Sequence, residues 1–113
     1  MLENTTNFQK LINTNGAELA QKIVESSQII AHAIEEDADL YTIKNNIINN
    51  LTQISAKMQL DIIRNSKILI QSGERTEETV NTFVEDICAQ FSKIVTDADI
   101  AFEDIISTIG VDV

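Results

Sequence analysis

Hydrophobic residues recur every three or four positions along almost the whole chain, which is the spacing of one face of an α-helix. The alternation of apolar and polar residues that marks a β-strand is missing. The pattern therefore predicts an all-α fold built on three apolar stripes. The first stripe is Phe8, Ile12, Leu19, Ile23, Ile30 and Ile34; the second is Leu40, Ile43, Ile47, Leu51, Ile54, Met58, Ile62 and Leu69; the third is Val80, Val84, Ile87, Phe91, Ile94, Val95, Ala98, Phe102, Ile105, Ile106 and Ile109.

Many residues within each stripe are eleven positions apart, as Val80, Phe91 and Phe102 are in the third. An eleven-residue repeat corresponds to about 3.67 residues per turn, whereas a left-handed coiled coil requires 3.5. We therefore expect helices that are nearly straight.

The clearest break between helices lies around residues 72–76. Gly73 follows the second stripe directly, at the position where a glycine commonly ends a helix. Thr76 is a suitable N-cap, and Glu77 and Glu78 after it favour the positive end of a helix dipole. These signals predict helices over about 39–71 and 76–109, with residues 110–113 as a frayed tail.

The break between the first two helices is marked by a change in the phase of the stripe. This change coincides with the acidic run from Glu35 to Asp39, and Asp39 is a suitable N-cap. We place a turn there, which gives a first helix over about 6–35. The alternative is one helix of about 55 residues that continues through the acidic run.

Two signals bear on the first helix itself. Thr6 and Gln9 have the spacing of a capping box, which predicts a helix start near Thr6. Asn15-Gly16 is a strong turn dipeptide, yet the apolar stripe keeps its phase across it. We interpret Gly16 as a weak point or kink within the helix, with a short separate helix over 6–14 as the alternative.

Three helices of this length, each about 45 Å long, joined by short loops predict an up-down-up arrangement. The expected fold is an elongated antiparallel three-helix bundle in which residues 1–113 form a single domain. Composition agrees, because the chain has no Pro and only three Gly, whereas 43% of its residues are hydrophobic.

Acidic residues outnumber basic ones, with a formal net charge of −10, and this excludes direct binding to nucleic acid or anionic membranes. Residues 73–113 carry ten acidic and two basic side chains, whereas residues 40–72 carry four basic and one acidic. One interpretation is that these charges flank the seam between the second and third helices. The other is an acidic face that binds a basic partner, formed by Glu85, Asp86, Asp97, Asp99, Glu103 and Asp104.

Residues suited to catalysis or metal binding are few. His32 is the sole histidine and lies opposite the first stripe, where a surface position is expected. Cys88 lies at the edge of the third stripe beside acidic residues that would raise the pKa of its thiol. The segments Asp37-Ala38-Asp39 and Asp97-Ala98-Asp99 lack the glycine and glutamate that complete a calcium loop. We therefore expect a protein that is not an enzyme and uses neither metal nor cofactor.

The first fifteen residues contain no apolar core of the kind found in signal peptides, so we expect no secretory signal, and no apolar run is long enough to cross a membrane. Its single cysteine suits a reducing compartment. The expected location is the cytoplasm.

Apolar residues outside the stripes suggest what the protein does. In the second helix Ile63 and Ile70 lie about 140° and 120° from the centre of the stripe, and Leu60 lies one turn before Ile63. We predict that Ile63, with Leu60 or Ile70, contacts another chain. The leading hypothesis is therefore a non-enzymatic interaction or self-assembly module, such as an adaptor, a chaperone or an inhibitor of a protein partner, that forms a homo-oligomer or binds that partner.

Two alternative functions follow from other features of the sequence. The acidic face could imitate the phosphate backbone and inhibit a nucleic-acid-binding protein. The amphipathic helices could instead coat an apolar granule or a lipid surface. Salt separates the first alternative from apolar packing, because binding by an acidic mimic weakens steeply as ionic strength rises.

Overall fold

The computed structural model describes residues 2–111 and the side chains of residues 2–109. The described chain consists of three helices, α1 (Glu3–Glu35), α2 (Leu40–Ser72) and α3 (Glu77–Val111), and contains no strand. The helices form an elongated bundle that measures 60 × 19 × 16 Å. The predicted all-α three-helix bundle is confirmed.

The helix α2 is the central element of the bundle. Both α1 and α3 pack mainly on α2 and contact each other much less. The pairing of α2 with α3 is antiparallel, because Lys44 near the start of α2 meets Asp99, whereas Ser55 further along meets Phe91. Since α1 and α2 are joined by a short turn, α1 runs parallel to α3, as the up-down-up arrangement requires.

The core consists of two apolar clusters along the axis of the bundle. Partly buried Ile23, Ile47 and Ile48 pack against both and join them. The larger cluster contains Phe8, Leu19, Leu51, Met58, Ile62, Leu69, Val80, Phe91 and Val95, and the smaller contains Ile30, Ala98 and Phe102.

Two residues of the third stripe are not part of this core. Ile94 is 37% exposed and Ile105 is 45% exposed, so their predicted core position is wrong. Both lie on the flank of α3 that faces α1, at roughly 60° from Phe91 and Phe102. Because α1 packs mainly on α2, it leaves this flank of α3 partly uncovered.

The turn between α1 and α2 excludes a single long helix. The side chain of Asp39 caps α2 by accepting hydrogen bonds from the backbone N–H of Thr42 at 3.3 Å and from its hydroxyl at 2.8 Å. These bonds hold the pKa of Asp39 below its usual value. Asp37 takes up the change of direction with a positive φ of 57°, a conformation that Asp tolerates better than most residues.

The turn between α2 and α3 follows the predicted signals. Gly73 has a φ of 77° and ends α2, and its N–H donates to the carbonyl of Ile70 at 3.2 Å. The hydroxyl of Thr76 accepts from the backbone N–H of Thr79 at 3.3 Å and caps α3. The helix α3 continues to Val111, so residues 110 and 111 are helical rather than frayed, and residues 112–113 lie outside the described residues.

The start of α1 differs from its prediction. The helix begins at Glu3, so Thr6 already lies inside it and the capping box with Gln9 is wrong. A distant residue caps α1 instead, because the carboxylate of Glu74 accepts hydrogen bonds from the backbone N–H groups of Asn4 at 3.2 Å and Thr5 at 3.1 Å. The hydroxyl of Thr5 also donates to this carboxylate at 3.2 Å.

The pKa of Glu74 reflects this role. Partial burial raises the pKa of Glu74, but hydrogen bonds from Thr5, Asn4 and Ser72 lower it more, so that it lies below its usual value. The carboxylate therefore stays ionised at the positive end of the α1 dipole.

The helix α1 continues through Gly16, which excludes a separate helix over 6–14. A Cβ atom added at Gly16 would meet no atom within 4 Å. The space beside this glycine is therefore open.

Candidate interaction surfaces

The side chains with catalytic potential do not converge. His32 is exposed, and its Nε2 lies 3.1 Å from Oε1 of Glu36 in the same helix. Cys88 is half-buried, and burial raises the pKa of its thiol. Nowhere in the described chain do three or more His, Cys, Asp or Glu side chains come together as a metal site.

The two predicted near-matches to calcium loops have ordinary structural positions. Asp37 and Asp39 form the turn between α1 and α2. The other segment lies inside α3, where Ala98 is buried between an exposed Asp97 and a half-buried Asp99. An uninterrupted helix cannot wrap around a cation as a calcium loop does.

The first apolar surface is on the outer side of α2. Leu60 is 51% exposed and Ile63 is 39% exposed, and the two side chains are neighbours one turn apart on the helix. Ile70 is half-buried and packs against the larger core cluster. We call Leu60, Ile63 and Ile70 the α2 patch; its first two members project from the bundle and Ile70 forms its inner edge.

The second apolar surface follows α3 along the flank that faces α1. Phe83 is 43% exposed, and it lies on one line with Ile94 and Ile105, since the three are eleven residues apart. The sequence prediction did not recognise this line as a separate exposed surface. Its signal was the eleven-residue spacing, which is the same as that of the buried Val80, Phe91 and Phe102, each three positions earlier. The two lines are about 60° apart, so together they form one broad apolar face of α3, part of which remains exposed.

Between Gly16 and Ala31 the facing side of α1 consists mainly of small, uncharged residues. The structure shows Ala20, Ser27 and Ala31 exposed, and Gly16 borders open space. At one end the two helices are bridged by the rings of Phe8 and Phe83, which meet edge to face with centroids 6.1 Å apart. We call the surface between these two helix flanks the α1–α3 groove.

Two depressions in the α1–α3 groove lie next to Phe83 of this aromatic bridge. A cavity of ≈ 200 Å³ is lined by apolar and uncharged polar residues of all three helices and by one cation, Arg75. A neighbouring depression is lined by Gln9, Ile12, Asn13, Phe83 and Ile87. Both depressions have mixed apolar and uncharged polar walls, apart from Arg75.

The six acidic residues predicted to form one face lie in two rows on the outer half of α3. One row faces α2, and there Asp99 and Glu103 lie 2.9 and 3.8 Å from Nζ of Lys44. The other row borders the α1–α3 groove, and none of its members forms an ion pair within residues 2–109. The first row is Glu85, Asp99 and Glu103, and the second is Asp86, Asp97 and Asp104.

Basic residues of α2 also have two different environments. The stem of Lys44 is buried against the bundle while its ammonium group reaches Asp99, and this hydrogen bond raises the pKa of Lys44. Arg64 is exposed and lies 3.6 Å from Asp61 in its own helix. Lys57 and Lys67 are exposed and make no ion pair with any described residue.

The described part of the chain thus carries the α2 patch, which is bordered by basic residues, and the α1–α3 groove, which is bordered by acidic residues. No helix within it has the length and apolar character needed to cross a membrane. No protein-family model, curated protein or solved structure matches the chain.

Proposed function

We propose that this protein is a non-enzymatic interaction module that associates with a protein partner, including copies of itself, through the α2 patch. The observation that carries the proposal is the exposure of Leu60 and Ile63, which are 51% and 39% accessible and lie one turn apart on α2. Adjacent exposed aliphatic side chains of this kind are typical of interaction surfaces.

The α2 patch offers enough free energy to matter for association. Complete burial of one large aliphatic side chain contributes about 1.5–3 kcal/mol. Since Leu60 and Ile63 are about half exposed, covering both contributes on the order of 2 kcal/mol. A difference of about 1.4 kcal/mol changes a dissociation constant tenfold, so loss of the patch should weaken association by at least that factor.

A role without catalysis is supported by the separation of His32 from Cys88. The histidine contacts only Glu36 among ionisable groups, and the raised pKa of Cys88 disfavours the thiolate that a nucleophile requires. The unpaired thiol suits a reducing compartment, and we place the protein in the cytoplasm on that basis.

The two alternative functions have less support. An acidic mimic needs a continuous field of unpaired carboxylates, whereas Asp99 and Glu103 lie beside the ammonium group of Lys44. A coat on a granule or lipid surface requires the helices to open, which would expose the two core clusters that hold α2 against its neighbours.

The substitution Ile63→Glu tests the proposal. It places a charge at the centre of the α2 patch without removing a core residue, so helicity and cooperative melting should persist while association weakens at least tenfold. The matched control is Ile68→Glu, because Ile68 is 45% exposed on the opposite flank of the same helix. Association is measured by sedimentation velocity at several protein concentrations, or by affinity for a captured partner where the protein alone is monomeric.

Two other results have different consequences for the proposal. Unfolding of the Ile63→Glu variant would show that Ile63 belongs to the core, and Leu60→Glu at the more exposed position then repeats the test. Equal association of the Ile63→Glu and Ile68→Glu variants would show that the α2 patch is not an interface.

A further inference from the structure

We propose that the α1–α3 groove is the docking site for α2 of a second copy of this chain, with the α2 patch of that copy lying in the groove. This inference rests on the proposed function of the α2 patch and names its partner. The docked helix would complete a four-helix arrangement around α1 and α3, in which every helix has two helical neighbours.

The α1–α3 groove has walls suited to a helix. On the α3 side Phe83, Ile94 and Ile105 present a line of partly exposed apolar side chains eleven residues apart. On the α1 side the residues between Gly16 and Ala31 are mainly small, with Ala20 and Ala31 also eleven residues apart. Large side chains on one wall and small ones on the other let a third helix approach α1 closely while it covers the line on α3.

Gly16 supplies an independent indication of close approach. A glycine in the interior of a helix disfavours that helix relative to alanine. Among the described residues no packing neighbour fills the space that this glycine leaves, since an added Cβ would meet none within 4 Å. A docked helix would use this space, because glycine at such a position allows two helices to pack closely.

The charges beside the two surfaces are complementary. The acidic row beside the groove, which forms no ion pair within the described residues, includes Asp97 and Asp104, seven residues apart. On the opposite wall of the groove, the part of α1 from Gly16 to Ala31 that faces this row carries no charged residue. The α2 patch is bordered on one side by Lys57 and Arg64, which are also seven residues apart; Lys57 has no ion pair among the described residues, and Arg64 is exposed beside Asp61 of its own helix. Cations on one side of the patch therefore match carboxylates on one side of the groove.

Charge also decides against the other pairing of two copies. If two grooves faced each other, the acidic rows of both would come together, and like charges across an interface are unfavourable. The segment 40–72 is the one part of the chain with a net positive charge, with four basic residues and one acidic residue. The helix α2 is therefore the element of a second copy that fits the acidic groove.

The two surfaces lie on opposite sides of the bundle. Since α2 is the central helix and the groove runs between the other two, Leu60 points away from the groove. Patch-to-groove contact is therefore heterologous: each copy that is bound through its patch still offers a free groove. Such contacts build open chains of molecules unless a rotation closes them into a ring.

Mutual rescue of two variants tests this arrangement. Ile63→Glu places a charge in the α2 patch and prevents it from docking. Ala20→Arg blocks the groove with a bulky side chain; since Ala20 is exposed and arginine favours the helix, α1 should still fold. Each variant alone should be monomeric, with self-association at least tenfold weaker than that of the original chain. An equimolar mixture should form a 1:1 dimer and nothing larger, because each variant supplies the surface that the other lacks. Gln21→Arg, at an exposed position on α1 next to Ala20 in sequence but turned away from the groove, is the control and should assemble normally.

The outcomes separate this inference from the proposed function. Assembly of the original chain should increase with protein concentration and weaken as the salt concentration rises. If the chain stays monomeric at all concentrations, self-docking is overturned and the α2 patch remains available for another protein. Assembly that is lost in Ile63→Glu but unchanged in Ala20→Arg keeps the patch and overturns the groove. Loss in both variants without rescue in the mixture overturns the heterologous contact. If Ile63→Glu unfolds, Leu60→Glu takes its place in the mixture.

Discussion

Replacing Gly16 or Gly73 with alanine should change the stability of the chain in opposite directions. An added Cβ meets no atom of a more distant part of the chain within 4 Å at either position, so neither substitution produces a clash with a packing neighbour. They differ in the backbone, because Gly16 is helical whereas Gly73 has a φ of 77°. Alanine is favoured over glycine in a helix interior by about 1 kcal/mol, and an L-residue in the left-handed region costs roughly 1–2 kcal/mol. Gly16→Ala should therefore raise the free energy of unfolding by about 1 kcal/mol, and Gly73→Ala should lower it by a similar amount.

Urea denaturation followed by far-UV circular dichroism measures both changes, at a protein concentration where sedimentation shows monomers. The midpoints should move apart while the slope with denaturant stays constant. In thermal melts a change of 1 kcal/mol corresponds to a shift of about 4 °C for a chain of this size. A destabilised Gly16→Ala variant would refute the reasoning, because it would show that the folded monomer needs the space beside Gly16.

Three further results are expected. Phe91→Ala should lower the free energy of unfolding by about 3–5 kcal/mol, because Phe91 is 4% exposed, and an unchanged denaturation midpoint would place it outside the core. Glu74→Gln should lower the melting temperature at neutral pH. Because the pKa of Glu74 is depressed in the folded state, the carboxylate stabilises the fold above its ordinary pKa, and this stabilisation disappears as pH falls through the folded value. The melting temperatures of the variant and the original chain should therefore converge in acid. Lys44→Met should destabilise by about 1 kcal/mol or less near neutral pH. Because the hydrogen bond with Asp99 raises the pKa of Lys44, that difference should persist up to its ordinary pKa and vanish as pH rises through the folded value.

Local signals predicted the helices and their breaks well. Gly73, Thr76 and Asp39 each act within one turn of their own position, and the structure confirms the break at each of them. The apolar stripes likewise predicted most of the buried residues, since the period of a helix decides which side chains share a face.

Features that depend on distant parts of the chain could not be predicted in this way. The cap of α1 comes from Glu74, which is 69 residues from Thr5, and no pattern around Thr5 refers to it. The exposure of Ile94 and Ile105 depends on how far α1 lies from α3, and the pattern of α3 alone does not contain that distance. The buried Lys44 was similarly hidden, because its stem is covered only where α2 crosses the end of α3 that carries Asp99.

For the α2 patch, the sequence indicated which residues lie off the core stripe. It placed Leu60 and Ile63 outside the stripe, and both are exposed, whereas Ile70 is shielded by the core cluster on which it packs. The groove was not foreseen, because its apolar wall consists of Phe83 and two residues that the stripe assigned to the core.

The cap that Glu74 forms on α1 has a consequence for the order of folding. Helical bundles fold quickly because most of their contacts are local, yet this cap joins residues 69 and 70 positions apart. Its hydrogen bonds can form only after the turn between α2 and α3 has been built and α1 has docked beside it. The first turn of α1 is then among the last parts of the molecule to become ordered and among the first to open, so loss of the carboxylate should speed unfolding far more than it slows folding.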